Sequence, residues 1–436
     1  MAKKYWDEKL ETMHPDELAR VQLGHLQRTL ERVYAKVPFY RKAFDQQGVK
    51  PGDLRRLEDL ARFPFTIKNA LRDNYPLGLS TVPVAELVRI HASSGTTGKP
   101  ITGLYTASDM RQWGECMARG MWAQSVRPED IAQNAYGMGL FTGGLGFLLG
   151  FERIGCALIP SGSGQTEKQL LLMEDLGTTV LACTPTYALT IAERAQQLGK
   201  DLRRFPLRVG CFGAEPWSLE MKKLIEERMG IVAHEHYGLT ELMGPGVAFS
   251  CEAGALHINE DHILAEVIDP ETLAPLPLGQ PGEMVLTSLQ REAMPMIRYR
   301  TRDITRLQRH ACPCGRTFVT MEKVTGRSDD MMIVSGVNVF PSQIESVLME
   351  FEEIEPQYVI HLFKKGFIDN IRVETEAKAA LYAKGAAFIE ELAARVGARI
   401  GQVVGIKVPV AILEAGAIPR SIGKAKRVID EREGVK

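Results

Sequence analysis

The sequence predicts an α/β protein with a large N-terminal domain, built of α/β sheets plus a small β region, and a smaller mobile α+β domain after it. Three observations carry this expectation. From about residue 100 onward, strand-like runs alternate with helical ones. Val180-Leu181-Ala182-Cys183 precedes a helical pattern over 186–198, and Leu207-Arg208-Val209-Gly210-Cys211-Phe212 precedes another over 218–229. Such alternation argues for a mainly parallel sheet with ligand loops at strand C-termini. Residues 263–325 then change character: 263–269 and 283–287 read as antiparallel strands separated by Pro/Gly-rich turns. From Gly326 the pattern shifts again, to a hairpin over 331–340 and a helix over 341–351 with proline at its start. Strand-like segments at 357–363 and 370–376, a helix over 380–400 and a strand over 408–413 follow. A chain of 436 residues exceeds one ordinary core. The expected domains are therefore 1–325 and 326–436, with a hinge near 326–330.

The N-terminal region is helical in pattern over 15–46. Leu18, Val21, Leu26, Leu30 and Val33 recur at helical spacing, and Pro38 interrupts the run. Tyr34, Phe39, Tyr40 and Phe44 form an aromatic cluster suited to packing. An apolar content of 45% and a charged content of 25% fit a soluble globular protein. A net charge of -1 gives no reason to expect nucleic acid or an anionic membrane as partner. The N-terminus lacks the apolar core of a signal peptide, and the longest apolar stretch, 138–151, is short and broken by glycines. Seven cysteines, an odd number, argue for a reducing cytoplasm.

Chemistry concentrates in a few stretches. After the strand-like 87–90 comes Ala92-Ser93-Ser94-Gly95-Thr96-Thr97-Gly98-Lys99-Pro100. Its glycines let backbone approach a ligand, its hydroxyls donate hydrogen bonds, and Lys99 adds positive charge, a combination suited to a phosphate chain. It is not a Walker loop: two residues separate the glycines and proline follows the lysine. Alone, it is also compatible with a flexible Ser/Gly turn. In His236-Tyr237-Gly238-Leu239-Thr240-Glu241, Tyr237 offers a ring face for a purine, Gly238 a close turn, Thr240 a hydroxyl for phosphate and Glu241 hard oxygens for magnesium. In Tyr299-Arg300-Thr301-Arg302-Asp303, the Asp303 carboxylate can accept both hydroxyls of a ribose. In the Gly/Pro/Lys-rich tail, Lys424 after Gly423 is a mobile point charge suited to an α-phosphate, with Lys426 as rival.

These stretches, in this order over about residues 60–428, resemble the adenylate-forming superfamily of acyl- and aryl-CoA ligases. Ser94-Gly95-Thr96-Thr97-Gly98-Lys99-Pro100 is similar to its phosphate loop, 237–241 to its Tyr-Gly-x-Thr-Glu signature, and 299–303 to its Tyr-Arg-Thr-Gly-Asp. Arg302 stands where that last motif has glycine. The short length, the 138–144 segment and Met294-Pro295-Met296-Ile297-Arg298-Tyr299 look most like the phenylacetate-CoA ligase family. The resemblance implies ATP, magnesium and coenzyme A as cofactors and co-substrates, and commonly a homodimer. It implies Tyr136, Phe141, Gly143 and Gly213 at an aryl acid, and Ala214, Glu215 and Pro216 beside adenine. Tyr237 and Gly238 would also be at adenine, Thr240 at phosphate, Glu241 at magnesium and Asp303 at ribose. Arg327 would reach the nucleotide, Asp329 would be the pivot, Ser335 and Gly336 would border the thiol channel, and Lys424 would be catalytic. The implied reaction joins an aryl carboxylate, phenylacetate foremost, to CoA through an acyl adenylate. A carrier-protein thiol as acceptor, indoleacetate or benzoate as acid, and a non-catalytic nucleotide- and zinc-binding scaffold are the alternatives.

One constellation lies outside that scheme. Cys251 and His257 are separated by five residues, and Cys312 and Cys314 sit in Cys-Pro-Cys-Gly. Three Cys and one His make a structural zinc set that would tie the small β region together. His262 and His310 are alternative ligands.

Overall fold

In the computed structural model, residues 3–93, 100–327, 332–334, 337–365, 368–420 and 427–432 are described. The chain divides into two compact units. The larger takes Met1–Cys183, Arg204–Ala214 and Ile231–Lys323; the smaller takes Thr184–Arg203, Glu215–Gly230 and Val324–Lys436.

The larger unit begins with helices Pro15–Lys36 and Pro38–Gln47. Proline opens each, where its missing N–H costs nothing, and Val37 between them is extended. Leu18, Leu26, Leu30 and Val33 form the buried stripe of the first helix, and Tyr40 and Phe44 that of the second. Phe44 meets the edge of Phe63 at 5.1 Å. These aromatics are packing, as the pattern indicates.

A long mixed sheet organises the unit. Its strands lie in the order Pro275–Leu276, Ile263–Ile268, Pro281–Ser288, Tyr299–Gln308, Thr320–Met321, Leu256–Ile258, Gly244–Ser250, Val232–Leu239, Val209–Gly213, Val180–Cys183, Ile131–Asn134 and Ala157–Ile159. From Val232–Leu239 to Ala157–Ile159 neighbouring strands are parallel. Val180–Cys183 and Val209–Gly213 are buried at every residue, as strands covered on both faces are. The rest of the order is antiparallel. The reversal comes at Gly244–Ser250, earlier in the chain than the change of pattern at 263. After Leu239 the chain turns straight back as a hairpin, with no crossover helix. Apart from this sheet, Leu87–Ala92 and Thr102–Thr106 form an antiparallel pair.

In the smaller unit the order is Val410–Leu413, Ile368–Ala377, Ile354–Lys365 and Val428–Asp430. The central pair is antiparallel and both edge pairs are parallel. Ala386–Val404 buries Leu392, Val396, Ile400 and Val404, a row at four-residue spacing. These residues share a core with Ile344, Val347 and Leu348 of helix Pro341–Met349 and with Tyr358, Ile360 and Val373. The helix expected over 380–400 is two: Ala379–Tyr382 and Ala386–Val404. Gly385, at φ 97°, lies between them in a conformation that ends a right-handed helix. Helices Pro185–Gln197 and Leu219–Met229 also belong to this unit. No helix among the described residues is long and apolar enough to cross a membrane.

Candidate nucleotide and acid site

In sequence the Ser/Thr/Gly loop lies between the paired strands Leu87–Ala92 and Thr102–Thr106. Its base is closed by Ser93 N–H donating to Ile101 O at 2.9 Å and by Ile101 N–H donating to Ser93 Oγ at 3.2 Å. Ser94, Gly95, Thr96, Thr97, Gly98 and Lys99 lie outside the described residues. The hairpin is bonded to the Gly-rich segment 135–144, the acid segment by expectation. Ala92 N–H donates to Leu140 O at 3.1 Å, and His91 Nδ1 lies 3.1 Å from the same oxygen. His91 is buried edge-to-face against Tyr105 and Trp113, which stack on each other, and burial lowers its imidazole below the usual value.

Other expected nucleotide residues meet in the larger unit. Tyr237 stands on Val232–Leu239 and Asp303 on Tyr299–Gln308, and the Tyr237 hydroxyl donates to Asp303 Oδ2 at 2.5 Å. Glu241 follows the same strand end as Tyr237. Its Oε1 accepts the Tyr299 hydroxyl at 2.8 Å, while Arg291 donates to its main-chain oxygen at 2.6 Å. The carboxylate is thus held by a tyrosine on another strand, and the main chain beside it by an arginine from the preceding loop. Thr240 Oγ1 lies 3.5 Å from Thr142 Oγ1, which begins the acid-segment helix Thr142–Ile154. Gly238 is needed by the fold itself: a Cβ there would stand 1.4 Å from Gly244 O.

The acid-segment residues divide. The Tyr136 ring is buried and stacked on Phe147 at 4.9 Å, and Phe147 meets the edge of His236 at 4.9 Å. Phe141, at the cap of Thr142–Ile154, is 48% exposed and does not join that stack. Gly143 lies in the first turn of this helix. Gly213 pairs with His236 across parallel strands, and a Cβ on it would sit 2.4 Å from His236 O. Ala214 follows at φ 74°, a left-handed angle that a non-glycine residue holds at a cost. Glu215 and Pro216 fall in the smaller unit, where Glu215 Oε1 accepts Thr186 N–H at 2.7 Å. Arg327 is half-buried in the short strand Gly326–Arg327 of that unit. Asp329, Ser335, Gly336 and Lys424, with its rival Lys426, lie outside the described residues.

Sequence reasoning misses three groups that bear on this site. Tyr299 and Arg291 hold Glu241, and His91 ties the hairpin to the acid segment. Tyr299 stands inside a motif already singled out, but nothing local shows that its hydroxyl reaches a residue 58 positions earlier.

The Cys/His set also assembles. Ligand atoms of Cys251, His257, Cys312 and Cys314 all lie within 4.8 Å of one another, and all four residues are buried. Cys251 Sγ is 3.8 Å from Cys312 Sγ, and Cys314 Sγ is 3.4 Å from His257 Nε2. A tetrahedron with Zn–S bonds of about 2.3 Å has S–S edges of roughly 3.8 Å, so the spacing fits that ion. His257 Nδ1 lies 3.1 Å from Phe318 O, the outer hydrogen bond that leaves Nε2 free to ligate. His262 instead lies against Asp261, at 3.4 Å, and His310 against Thr320, at 3.5 Å; neither joins the set.

Comparison with known proteins agrees with this arrangement. Residues 21–290 match the model of the AMP-binding enzyme family, and residues 336–432 that of the AMP-binding enzyme C-terminal domain. The chain is 46% identical to a phenylacetate-coenzyme A ligase of Aromatoleum evansii over 98% of this chain and 97% of that protein. It is also 46% identical to one of Escherichia coli (strain K12), over 97% of each. Among solved structures, 2-hydroxyisobutyryl-CoA ligase in the postadenylation state in complex with R3-HIB-AMP matches with a TM-score of 0.94 and 29% identity, over 99% of this chain and 93% of that one. The large first domain, the smaller second one and the gathered nucleotide segments have one explanation: the chain belongs to the adenylate-forming AMP-binding enzymes, in the branch of the phenylacetate-coenzyme A ligases, and is an AMP-forming CoA ligase.

Proposed function

We propose that the acid is an aryl carboxylate, phenylacetate foremost, and that the acceptor is free CoA. The observation that carries this reading is the meeting of segments far apart in the chain: Tyr237 with Asp303, Glu241 with Tyr299, Thr240 with Thr142, and the hairpin base with Leu140. They put nucleotide-type groups beside an aromatic, Gly-rich segment. A carboxylate is a poor acyl electrophile, because its leaving group would be oxide. In the first half-reaction a carboxylate oxygen attacks the α-phosphorus of ATP, and pyrophosphate leaves. In the second, the CoA thiolate attacks the acyl carbon, and AMP leaves. Both reactants of the first step are anions, so the site must neutralise and align them. Residues 93–99 would hold phosphate, Tyr237 the adenine, Asp303 the ribose diol and Tyr136 the aryl ring. Lys424 would stabilise charge developing at the α-phosphate. Glu241 would hold magnesium, which screens the phosphate charge when bound; one carboxylate together with phosphate oxygens and water suits that ion. Asp329 would be the pivot between half-reactions, with Arg327 toward the nucleotide and Ser335 and Gly336 toward CoA.

Cys251, His257, Cys312 and Cys314 would hold a structural zinc ion. Free cysteines throughout support a reducing cytoplasm as the setting, the resemblance supports a homodimer, and a net charge of -1 gives no reason to expect a nucleic-acid or membrane partner. The test is carboxylate-dependent ATP–pyrophosphate exchange over phenylacetate, a hydroxylated analogue, indoleacetate and benzoate, followed by product analysis with free CoA. Phenylacetate should give the highest kcat/KM and phenylacetyl-CoA the product. Exchange without CoA thioester would favour a carrier-protein acceptor, and no exchange with any of these acids would overturn the aryl-acid assignment.

A further inference from the structure

The strand Tyr299–Gln308 carries an irregularity beside the candidate nucleotide site. Against Pro281–Ser288, Val285 pairs with Arg300, but Glu283 pairs with Ile304, so extra residues bulge out opposite Met284. The bulge is residues 301–303. Thr301 Oγ1 donates to Met284 O at 2.8 Å and accepts Asp303 N–H at 3.0 Å. Arg302, between them, has φ 68°. Glycine takes that left-handed angle freely, whereas a residue with a Cβ holds it at a cost. Asp303, the last residue of the bulge, accepts the Tyr237 hydroxyl on its Oδ2.

A side chain offsets the cost. Arg302 Nη1 reaches Glu283 Oε2 at 3.4 Å across the bulge. Glu283 is fully buried and held by Arg300, which donates from Nε and Nη2 at 2.8 Å each. The anchor is therefore rigid, and Arg302 is tied to it. We propose that Arg302 is a positioning residue: its tether to Glu283 fixes the left-handed bulge, and the bulge aims the Asp303 carboxylate at the ribose diol of the nucleotide. This rests on the assignment of Asp303 to ribose made above. Arginine on this account does by a tether what glycine does by conformational freedom.

The test compares binding of AMP with that of its dideoxy analogue, which lacks both ribose hydroxyls, in the full-length protein. Arg302→Met keeps the aliphatic stem but loses the tether, and it should cut the preference for AMP by about tenfold, the scale of a lost hydrogen bond to a charged group. Acid KM should stay unchanged. Arg302→Gly should restore the preference and melt at or above the wild-type temperature, because glycine holds the angle unaided. Should the Met variant not fold, Arg302→Gln is read in the same way. A Met variant with wild-type preference overturns the proposal. So does a Gly variant as poor as the Met one, since arginine would then act on the nucleotide by its charge. Asp303→Asn is the control. If it keeps the preference, the ribose assignment itself falls, and the proposal with it; if it loses the preference while Arg302→Met does not, only the tether falls.

Discussion

His236 stands one residue before Tyr237 and supports the site from behind. Its Nε2 lies 2.9 Å from Gln124 Oε1, its ring edge meets Phe147, and burial pushes its imidazole down to about 3 from 6.5. An unfolded chain takes up a proton at this residue near its ordinary value, whereas the folded chain resists until about 3. The unfolded state binds more protons throughout that window, so stability is whole above 6.5 and falls as the pH drops below it. The contribution is about 1.4 kcal/mol per pH unit. Denaturant unfolding between about pH 7 and pH 5 should show this loss in the wild type. In His236→Gln, which keeps a donor for Gln124, the acid limb should be flatter by about that slope. An identical slope in both proteins would place the acid sensitivity elsewhere. At this scale the sequence shows which residue types stand in a motif, but not their state: nothing local tells that His236 is buried and held neutral behind Tyr237.

At the scale of elements, the N-terminal arm and the Cys/His turn form one assembly. Tyr5 donates its hydroxyl to Cys314 O at 3.1 Å, Arg316 Nε pairs with Glu11 at 2.7 Å, and Thr317 N–H donates to Glu11 O at 3.0 Å. Arg316 and Glu11 are both buried, so breaking the pair from one side costs about 3–5 kcal/mol. Trp6 packs edge-on against Trp122 at 5.4 Å and reports on the arm. If the four ligands hold a metal, the turn is ordered by it and the arm by the turn. A strong chelator should then lower the melting temperature by several degrees and increase quenching of tryptophan fluorescence by acrylamide. Metal analysis of the untreated protein should find about one zinc per chain. A chelator without effect, on a protein holding no zinc, would show four reduced side chains and nothing more. The ligands are legible in the sequence because Cys-Pro-Cys-Gly is local and the other pair is close by. The arm is not legible: Tyr5 and Cys314 are 309 positions apart, and neither segment has a pattern that announces the other.

At the scale of the whole molecule, the two-unit division and the order of motifs are legible for the same reason. Each signature is a short run whose residue types suit the ligand group proposed for it, so it reads locally whatever its tertiary partners are. The helices 185–197 and 219–229 read as ordinary crossover helices, and only the folded chain shows them grouped in the smaller unit. That unit also fixes both flanks of the segment bearing Lys424. Arg420 donates to the fully buried Glu376 at 2.8 and 2.9 Å and to Glu193 at 3.2 and 3.3 Å. The Arg427 guanidinium lies 4.3 Å from the centre of the Tyr358 ring. Anchored flanks would suit a lysine whose charge, on the proposed reading, reaches one phosphate in one half-reaction and is absent from the other. Lys424→Ala should accordingly lower acid-dependent pyrophosphate exchange by about two orders of magnitude or more, the scale of a lost transition-state contact. Thioester formation from supplied acyl adenylate and CoA should stay within a few-fold of wild type, because the α-phosphate is then a leaving group already made. Lys426→Ala, carried in parallel, should leave both steps near wild type. Equal losses in both half-reactions for Lys424→Ala would mean that the lysine supports the smaller unit rather than the chemistry, and a larger loss for Lys426→Ala would transfer the role to it.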